Sequence, residues 1–184
     1  MTPTLLSRER SALLLVDPQA RLMPAIANAA EVLDTSLFLA RVARLLDVPV
    51  LGTEQHPQAL GPNVAALREL CDTTLAKMHF DATADGLLDR LRERAVDQAV
   101  LAGCETHVCL LQTALGLLAA GLRVAVVPQA CGSRRPADKA LALQRLQQAG
   151  ATLLSAEMVA FEWLRSCEHP QFKAVLALVK SRPL

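Results

Sequence analysis

The sequence predicts a three-layer α/β domain built on a mostly parallel, six-stranded sheet in the Rossmann-like order 3-2-1-4-5-6. Three observations carry that reading: apolar runs of strand length recur along the chain, segments of helical periodicity separate them, and no internal repeat, low-complexity tract or linker interrupts the alternation. Hydrophobic residues form 52% of the 184, which suits a sheet covered on both faces. That length fits a single domain over residues 1–184.

The elements follow in order. "SALLLVD" is a short apolar run closed by an acid, which predicts a buried strand over Ser11–Asp17. From about Ala30 to Leu46, residues Val32, Leu33, Leu37, Ala40 and Leu45 keep largely helical spacing, and "VPVLGT" returns to strand chemistry. "EQHPQALGP" is rich in turn formers and is expected to be a loop, with a short helix after Pro62 and a weak strand near Thr73 to Lys77. "ADGLLDRLRERA" places Leu87, Leu88 and Leu91 on one side of a helix, with charges opposite. "QAVLAG" is the fourth strand. A helix from Thr106 to about Ala120 stops at Gly121, and "LRVAVVP" is the fifth strand. "PADKALALQRLQQAG" is a helix starting near proline and closing at glycine, and "ATLLSA" is the sixth strand. In "FKAVLALVK", Phe172, Val175, Leu176 and Val179 share one face of a last helix, which would pack on its own sheet or meet another subunit.

Composition narrows the function. With 19 basic and 18 acidic residues the formal charge is +1, which offers no general attraction to nucleic acid or anionic lipid. No apolar run approaches the roughly 18 to 20 residues of a membrane span, and Arg8, Glu9 and Arg10 precede a short run without a convincing cleavage site. A cytoplasmic location is therefore expected. Five scattered cysteines, Cys71, Cys104, Cys109, Cys131 and Cys167, read as reduced thiols rather than a disulfide framework. His56, His79, His107 and His169 are isolated, and neither G-x-G-x-x-G after the first strand nor a P-loop occurs. No metal and no cofactor are expected.

In doubly wound sheets, ligands sit beyond the carboxyl ends of the strands where the strand order reverses. Asp17, Lys77 and Cys109 occupy such ends. If Thr106 caps the following helix, Cys109 lies in its first turn, where unpaired amides and the helix dipole would favour a thiolate and could hold an oxyanion. Alternatively Cys109, Thr113, Gly116 and Ala120 form a small-residue stripe for close packing. Asp17 lies between "LLLV" and Pro18, where a carboxylate needs partners; it is either a base for Cys109 or a cap for the next loop. Lys77 either pairs with Asp17 or is a surface lysine.

The blocks "LLLVDPQARLMPAI", "GTEQHPQALGP", "LAKMHFDA", "LAGCETHVCLLQTALGLLAAGLRVAVVPQACGSR" and "ALQRLQQAGATLLSAE" together resemble the isochorismatase-like cysteine hydrolases, in the branch carrying a G-x-E-T-H-V-C segment. The resemblance runs from about residue 11 to 180. It implies a triad of Asp17, Lys77 and Cys109, a non-proline cis peptide between Cys104 and Glu105, and an oxyanion hole from the backbone N–H groups of Glu105 and Cys109. It also implies hydrolysis of a C–N bond in a small amide or carbamoyl compound through a thioester, and a homo-oligomer. Gln19, Gln55, Phe80 and His107 are the implied pocket walls. Glu54 and His56 do not reproduce the Asp-x-His metal pattern of nicotinamidase relatives, and Gln129-Ala130 stands where Asp-Ala is usual. Alternatives are a binding or scaffold protein of the same fold, and a vinyl-ether hydrolase that needs no cysteine.

Overall fold

Six parallel strands join one sheet in the order β3-β2-β1-β4-β5-β6 in the structure, a computed structural model that describes residues 5–182. The strands are β1 (Ser11–Val16), β2 (Val50–Gln55), β3 (Thr73–Lys77), β4 (Gln98–Cys104), β5 (Arg123–Gly132) and β6 (Thr152–Leu153). The helices are α1 (Ala29–Leu45), α2 (Pro57–Leu60), α3 (Ala65–Arg68), α4 (Leu87–Arg92), α5 (Leu111–Ala119), α6 (Pro136–Gln148), α7 (Ala156–Leu164) and α8 (Phe172–Lys180).

Strand β1 shows why the sheet sits between two cores. Successive side chains leave a strand on opposite faces, and the run from Ala12 to Val16 is buried along its whole length. Leu13 and Leu15 join the layer of α1, α7 and α8 around Phe38, Trp163 and Val175. Ala12, Leu14 and Val16 join the opposite layer with Leu91 of α4, Ala114 of α5 and Leu146 of α6. A continuous apolar run is thus required at this position; alternation with polar residues would expose neither face to water and would bury polar groups.

Two expectations need correction, and one open alternative is decided. β2 does not end at Thr53 but runs through Glu54 and Gln55, because Gln55 pairs in register with Lys77 of β3 and its amide is captured by the Gln19 side chain. α7 was not anticipated: Ser155 caps it by accepting from Met158 N at 3.1 Å, and it buries Trp163 and Leu164. The apolar face of α8 turns inward, with Val175 buried and Phe172 and Val179 packed on the same core, so the helix covers its own sheet.

At Gly103 the backbone of β1 leaves no room for a side chain on β4. Val16 and Gly103 are register partners, and Gly103 has φ +123°, a value that side-chain-bearing residues rarely adopt. The next residue on each strand is Asp17 and Cys104, so this contact sets the separation of the two chain segments that enter the site.

Candidate active site

Asp17 follows β1 directly, with φ 48° in the left-handed region, and its side chain is buried. A non-glycine residue in that region carries a backbone cost of about 1 kcal/mol or more, offset here by what the carboxylate contacts. Thr53 Oγ1 donates to Oδ1 at 2.6 Å, and Lys77 Nζ lies 2.8 Å from Oδ2. Both charged side chains of that ion pair are completely shielded from solvent. Lys77 is therefore no surface lysine, and Asp17 does not cap the following loop through its side chain.

Topology explains why a lysine is needed. β3 and β1 are separated by β2, two inter-strand steps of about 4.8 Å each, and Lys77 stands beside Gln55 in the register. Its long side chain crosses over the end of β2 to reach Asp17. Three acceptors take its N–H groups: Gln55 Oε1 at 2.7 Å, and the carbonyls of His79 and Phe80 at 3.3 Å each. The backbone N–H groups of Met78 and His79 both donate to Asp85 Oδ2, which turns the amides of this loop outward and leaves its carbonyls for the ammonium. With three directed donors used, the Lys77–Asp17 contact is ionic, and Oδ2 carries no directed hydrogen bond.

Cys109 lies on the Thr106–Leu110 turn, which is wound as a π-helix and precedes α5. Thr106 is not the cap. Its Oγ1 donates to the Gly132 carbonyl on β5 at 3.0 Å, and Glu105 occupies the cap position in extended conformation without a side-chain cap bond. The peptide between Cys104 and Glu105 is cis. Cys109 is 6% exposed, its sulfur lies 4.0 Å from Gln55 Oε1, and Asp17 and Lys77 are the charged neighbours that act on it.

Packing works against the thiolate that the helix start would favour. Burial pushes the Cys109 thiol up to about 12, the Asp17 carboxylate pushes in the same direction, and the Lys77 ammonium only partly opposes them. The thiol is protonated at neutral pH, and a neighbouring base has to remove its proton.

The small-residue stripe is also present. A Cβ on Gly116 would meet Asp81 Oδ2 and Thr83 Oγ1 at 2.6 Å, and Thr113 Oγ1 accepts from Ala82 N at 3.0 Å. It docks the loop that supplies Phe80 O to Lys77. Packing and chemistry thus share one helix, although Ala120 is exposed and lies outside the stripe.

The other pocket candidates separate into distinct roles. Gln19 is fully engaged with backbone: Nε2 donates to Gln55 O at 3.0 Å and Gly61 O at 2.6 Å, while Oε1 accepts from Gln55 N at 2.9 Å. Phe80 leaves its side chain exposed beside the site. His107 Nδ1 contacts Ser133 Oγ at 3.0 Å, and the ring borders a groove with Leu111, Asp138, Leu141 and Arg145. The Glu105 carboxylate is held by Arg134, through the backbone N at 3.0 Å and the guanidinium at 3.2 Å, so Arg134 is not a free loop arginine. Glu54 Oε1 accepts from Asn63 N at 2.8 Å, His56 is exposed, and no cluster that could hold a metal occurs among the described residues. Thr53 was not anticipated; a hydroxyl at a strand end beside a buried acid is the signal that could have pointed to it.

Burial of the thiols has a consequence for stability. Cys104, Cys109 and Cys131 are buried, and burial raises all three, the last two to about 12. A raised value in the folded state means that the unfolded chain releases these protons first, so the stabilisation is complete below about pH 9 and is lost as pH climbs toward 12. Urea melts at pH 8, 9 and 10 should show stability falling above pH 9, by up to about 1.4 kcal/mol per pH unit for each thiol. A flat profile up to pH 10 would contradict the burial of these groups.

Comparison with known proteins places this geometry. The Isochorismatase domain family model matches residues 11–158. Isochorismatase domain-containing protein 2A of Mus musculus is 40% identical over 173 residues, covering 94% of this chain and 84% of the mouse protein. Among solved structures, the MAR1 ribonuclease from Caenorhabditis elegans superposes with a TM-score of 0.92 at 34% identity, covering 98% of this chain and 95% of that one. YcaC from Pseudomonas aeruginosa, solved with hexane-2,5-diol and covalent acrylamide, gives 0.89 at 27% identity over 97% and 93% of the two chains. A family match over most of its length, with a relative 40% identical over 94% of the chain, makes this chain a member of the isochorismatase family.

Proposed function

We propose that the protein hydrolyses the C–N bond of a small amide or carbamoyl compound, with Cys109 as nucleophile, Asp17 as general acid and base, and Lys77 as electrostatic support. The observation that carries this reading is a carboxylate oxygen without a directed hydrogen bond, Asp17 Oδ2, buried beside a protonated thiol and an ammonium. Such an oxygen is suited to accepting the thiol proton, and the ammonium favours the thiolate that results. The covalent acrylamide in the YcaC structure supports a reactive group in a relative of this fold.

In the first step Asp17 Oδ2 takes the proton from Sγ, the sulfur attacks the carbonyl carbon, and the backbone N–H groups of Glu105 and Cys109 receive the developing oxyanion. Collapse breaks the C–N bond as Asp17 passes its proton to the departing nitrogen, leaving a thioester. Water, deprotonated by Asp17, then attacks that thioester; the C–S bond breaks, and the proton returns to the sulfur. The sum is amide plus water to acid plus amine. Lys77 keeps its proton throughout, because it is held by three acceptors and a carboxylate. No step requires a cofactor.

The test is a panel of small primary amides and ureido compounds assayed for ammonia release, with mass spectrometry of the quenched protein. An acyl or carbamoyl adduct on Cys109 from a turned-over compound is the expected result. Ammonia release that persists in Cys109→Ala would replace the covalent mechanism by direct attack of water, the vinyl-ether type of chemistry. A panel without turnover or adduct, together with slow and uniform alkylation of all five cysteines, would leave a scaffold protein.

A further inference from the structure

We infer that Gln55 is a specificity-determining residue whose side-chain oxygen accepts an N–H from the nitrogen of the substrate's amide, so that the site selects compounds carrying at least one N–H there. The inference rests on the hydrolase reading above and deepens it, since it concerns which amides the same pocket takes.

The orientation of the Gln55 amide follows from its partners. Nε2 donates to the Met78 carbonyl at 2.8 Å, and Oε1 accepts from the Lys77 ammonium at 2.7 Å. A flipped amide would set its NH2 against an ammonium and its oxygen against a carbonyl, two repulsions in place of two bonds. The backbone is equally restrained, because Gln19 holds both the N–H and the carbonyl of Gln55. An oxygen, never an NH2 group, therefore faces the sulfur.

That oxygen has two lone-pair directions, and Lys77 uses one. At rest the second faces the Cys109 thiol, 4.0 Å from Sγ. Once the thiol proton leaves, an acceptor stands beside a thiolate, an arrangement that only a hydrogen-bond donor placed between them relieves. A substrate attached through its carbonyl carbon to the sulfur carries its nitrogen next to the sulfur, and an N–H on it can meet Oε1. An ester oxygen or a dialkylated nitrogen would instead meet that acceptor with lone pairs or methyl groups. Sites built to bond a substrate N–H reject analogues lacking it, because the buried partner is left without a bond.

The experiment uses two carbamoylating reagents that differ at the nitrogen, 4-nitrophenyl N-methylcarbamate and 4-nitrophenyl N,N-dimethylcarbamate. In each reaction Sγ attacks the carbonyl carbon, the bond to the departing 4-nitrophenolate breaks, and the thiol proton goes to the base. Rates of Cys109 modification, followed by mass spectrometry on the full chain, are divided by the rates of the same reagents with free N-acetylcysteine. The wild-type protein should favour the N–H reagent by about five- to tenfold over the free thiol, the worth of one net hydrogen bond. Gln55→Met, which keeps the length and removes the acceptor, should bring that excess to about one. Gln55→Glu, which keeps an acceptor oxygen, should retain it. The quantity read is a ratio, so a general loss of packing or of thiol reactivity, which slows both reagents, does not move it. No excess in the wild-type protein, or an excess unchanged in Gln55→Met, would overturn the inference. Failure of the hydrolase reading shows separately, as an absence of ammonia release while the reagent ratio still depends on Gln55.

Discussion

Cys109→Ser will lower turnover by about a thousandfold or more while the melting transition stays close to that of the wild type. The substitution exchanges sulfur for oxygen at a residue that is only 6% exposed and whose contact with Gln55 Oε1 is a long 4.0 Å. Packing therefore changes little. The chemistry changes greatly, since a hydroxyl holds its proton far more tightly than even a buried thiol, and a carboxylate base cannot prepare it for attack. Asp17→Asn tests the same step less cleanly. It would set an amide where Lys77 requires a negative charge, and a buried charge stripped of its partner costs about 3 to 5 kcal/mol. Turnover by Cys109→Ser within tenfold of the wild type, measured on a compound from the amide panel, would end the covalent mechanism.

Gly103→Ala is expected to be the most disruptive single methyl in the fold, destabilising it by about 4 kcal/mol or more. A Cβ there would fall on the Val16 carbonyl oxygen and within 2.7 Å of the Val16 carbonyl carbon and nitrogen. These are backbone atoms of the register partner in the central strand, so no side-chain rotation relieves the overlap. The φ of +123° adds strain for any residue bearing a Cβ. Relief requires β1 and β4 to separate, and because Asp17 and Cys104 follow at once, the site would open with them. Denaturant titration measures the effect; a loss below about 1 kcal/mol would mean that the two strands do not approach as described. The contrast with Gly121 and Gly150 is instructive. Both have positive φ, yet a Cβ at either meets no atom within 4 Å, so their substitution costs backbone strain alone.

Much of the fold was legible because it rests on local chemistry. "SALLLVD" could only be a strand buried on both faces, Gly121 and Gly150 close helices where the pattern stops, and the weak run at Thr73–Lys77 proved to be β3 with the bounds its residues suggested. The polarity of Glu54, Gln55 and His56 is turn-like and hides the end of β2, whereas Gln55 is kept in the strand by donating its backbone N–H to the side chain of Gln19, thirty-six positions away. α7 escaped because "AEMVAFEWL" follows a two-residue strand without a break in hydrophobicity, and its serine cap only makes sense once the helix is known.

The sequence by itself determined the alternation of strands and helices, the strand ends at which Asp17, Lys77 and Cys109 would appear, and the poverty of metal and phosphate motifs, since periodicity, capping and motif spacing act over a few residues. The tertiary structure alone decided the protonation of Cys109 and the partners of Asp17. Position at a helix start argues for a thiolate, but desolvation is a property of everything packed around the sulfur, and it pushes the thiol up. Gln55 and the carbonyls of His79 and Phe80 meet around one ammonium, and Thr53 reaches Asp17, only after β2 is laid between β1 and β3, because hydrogen bonds between distant segments depend on register, which no local pattern encodes.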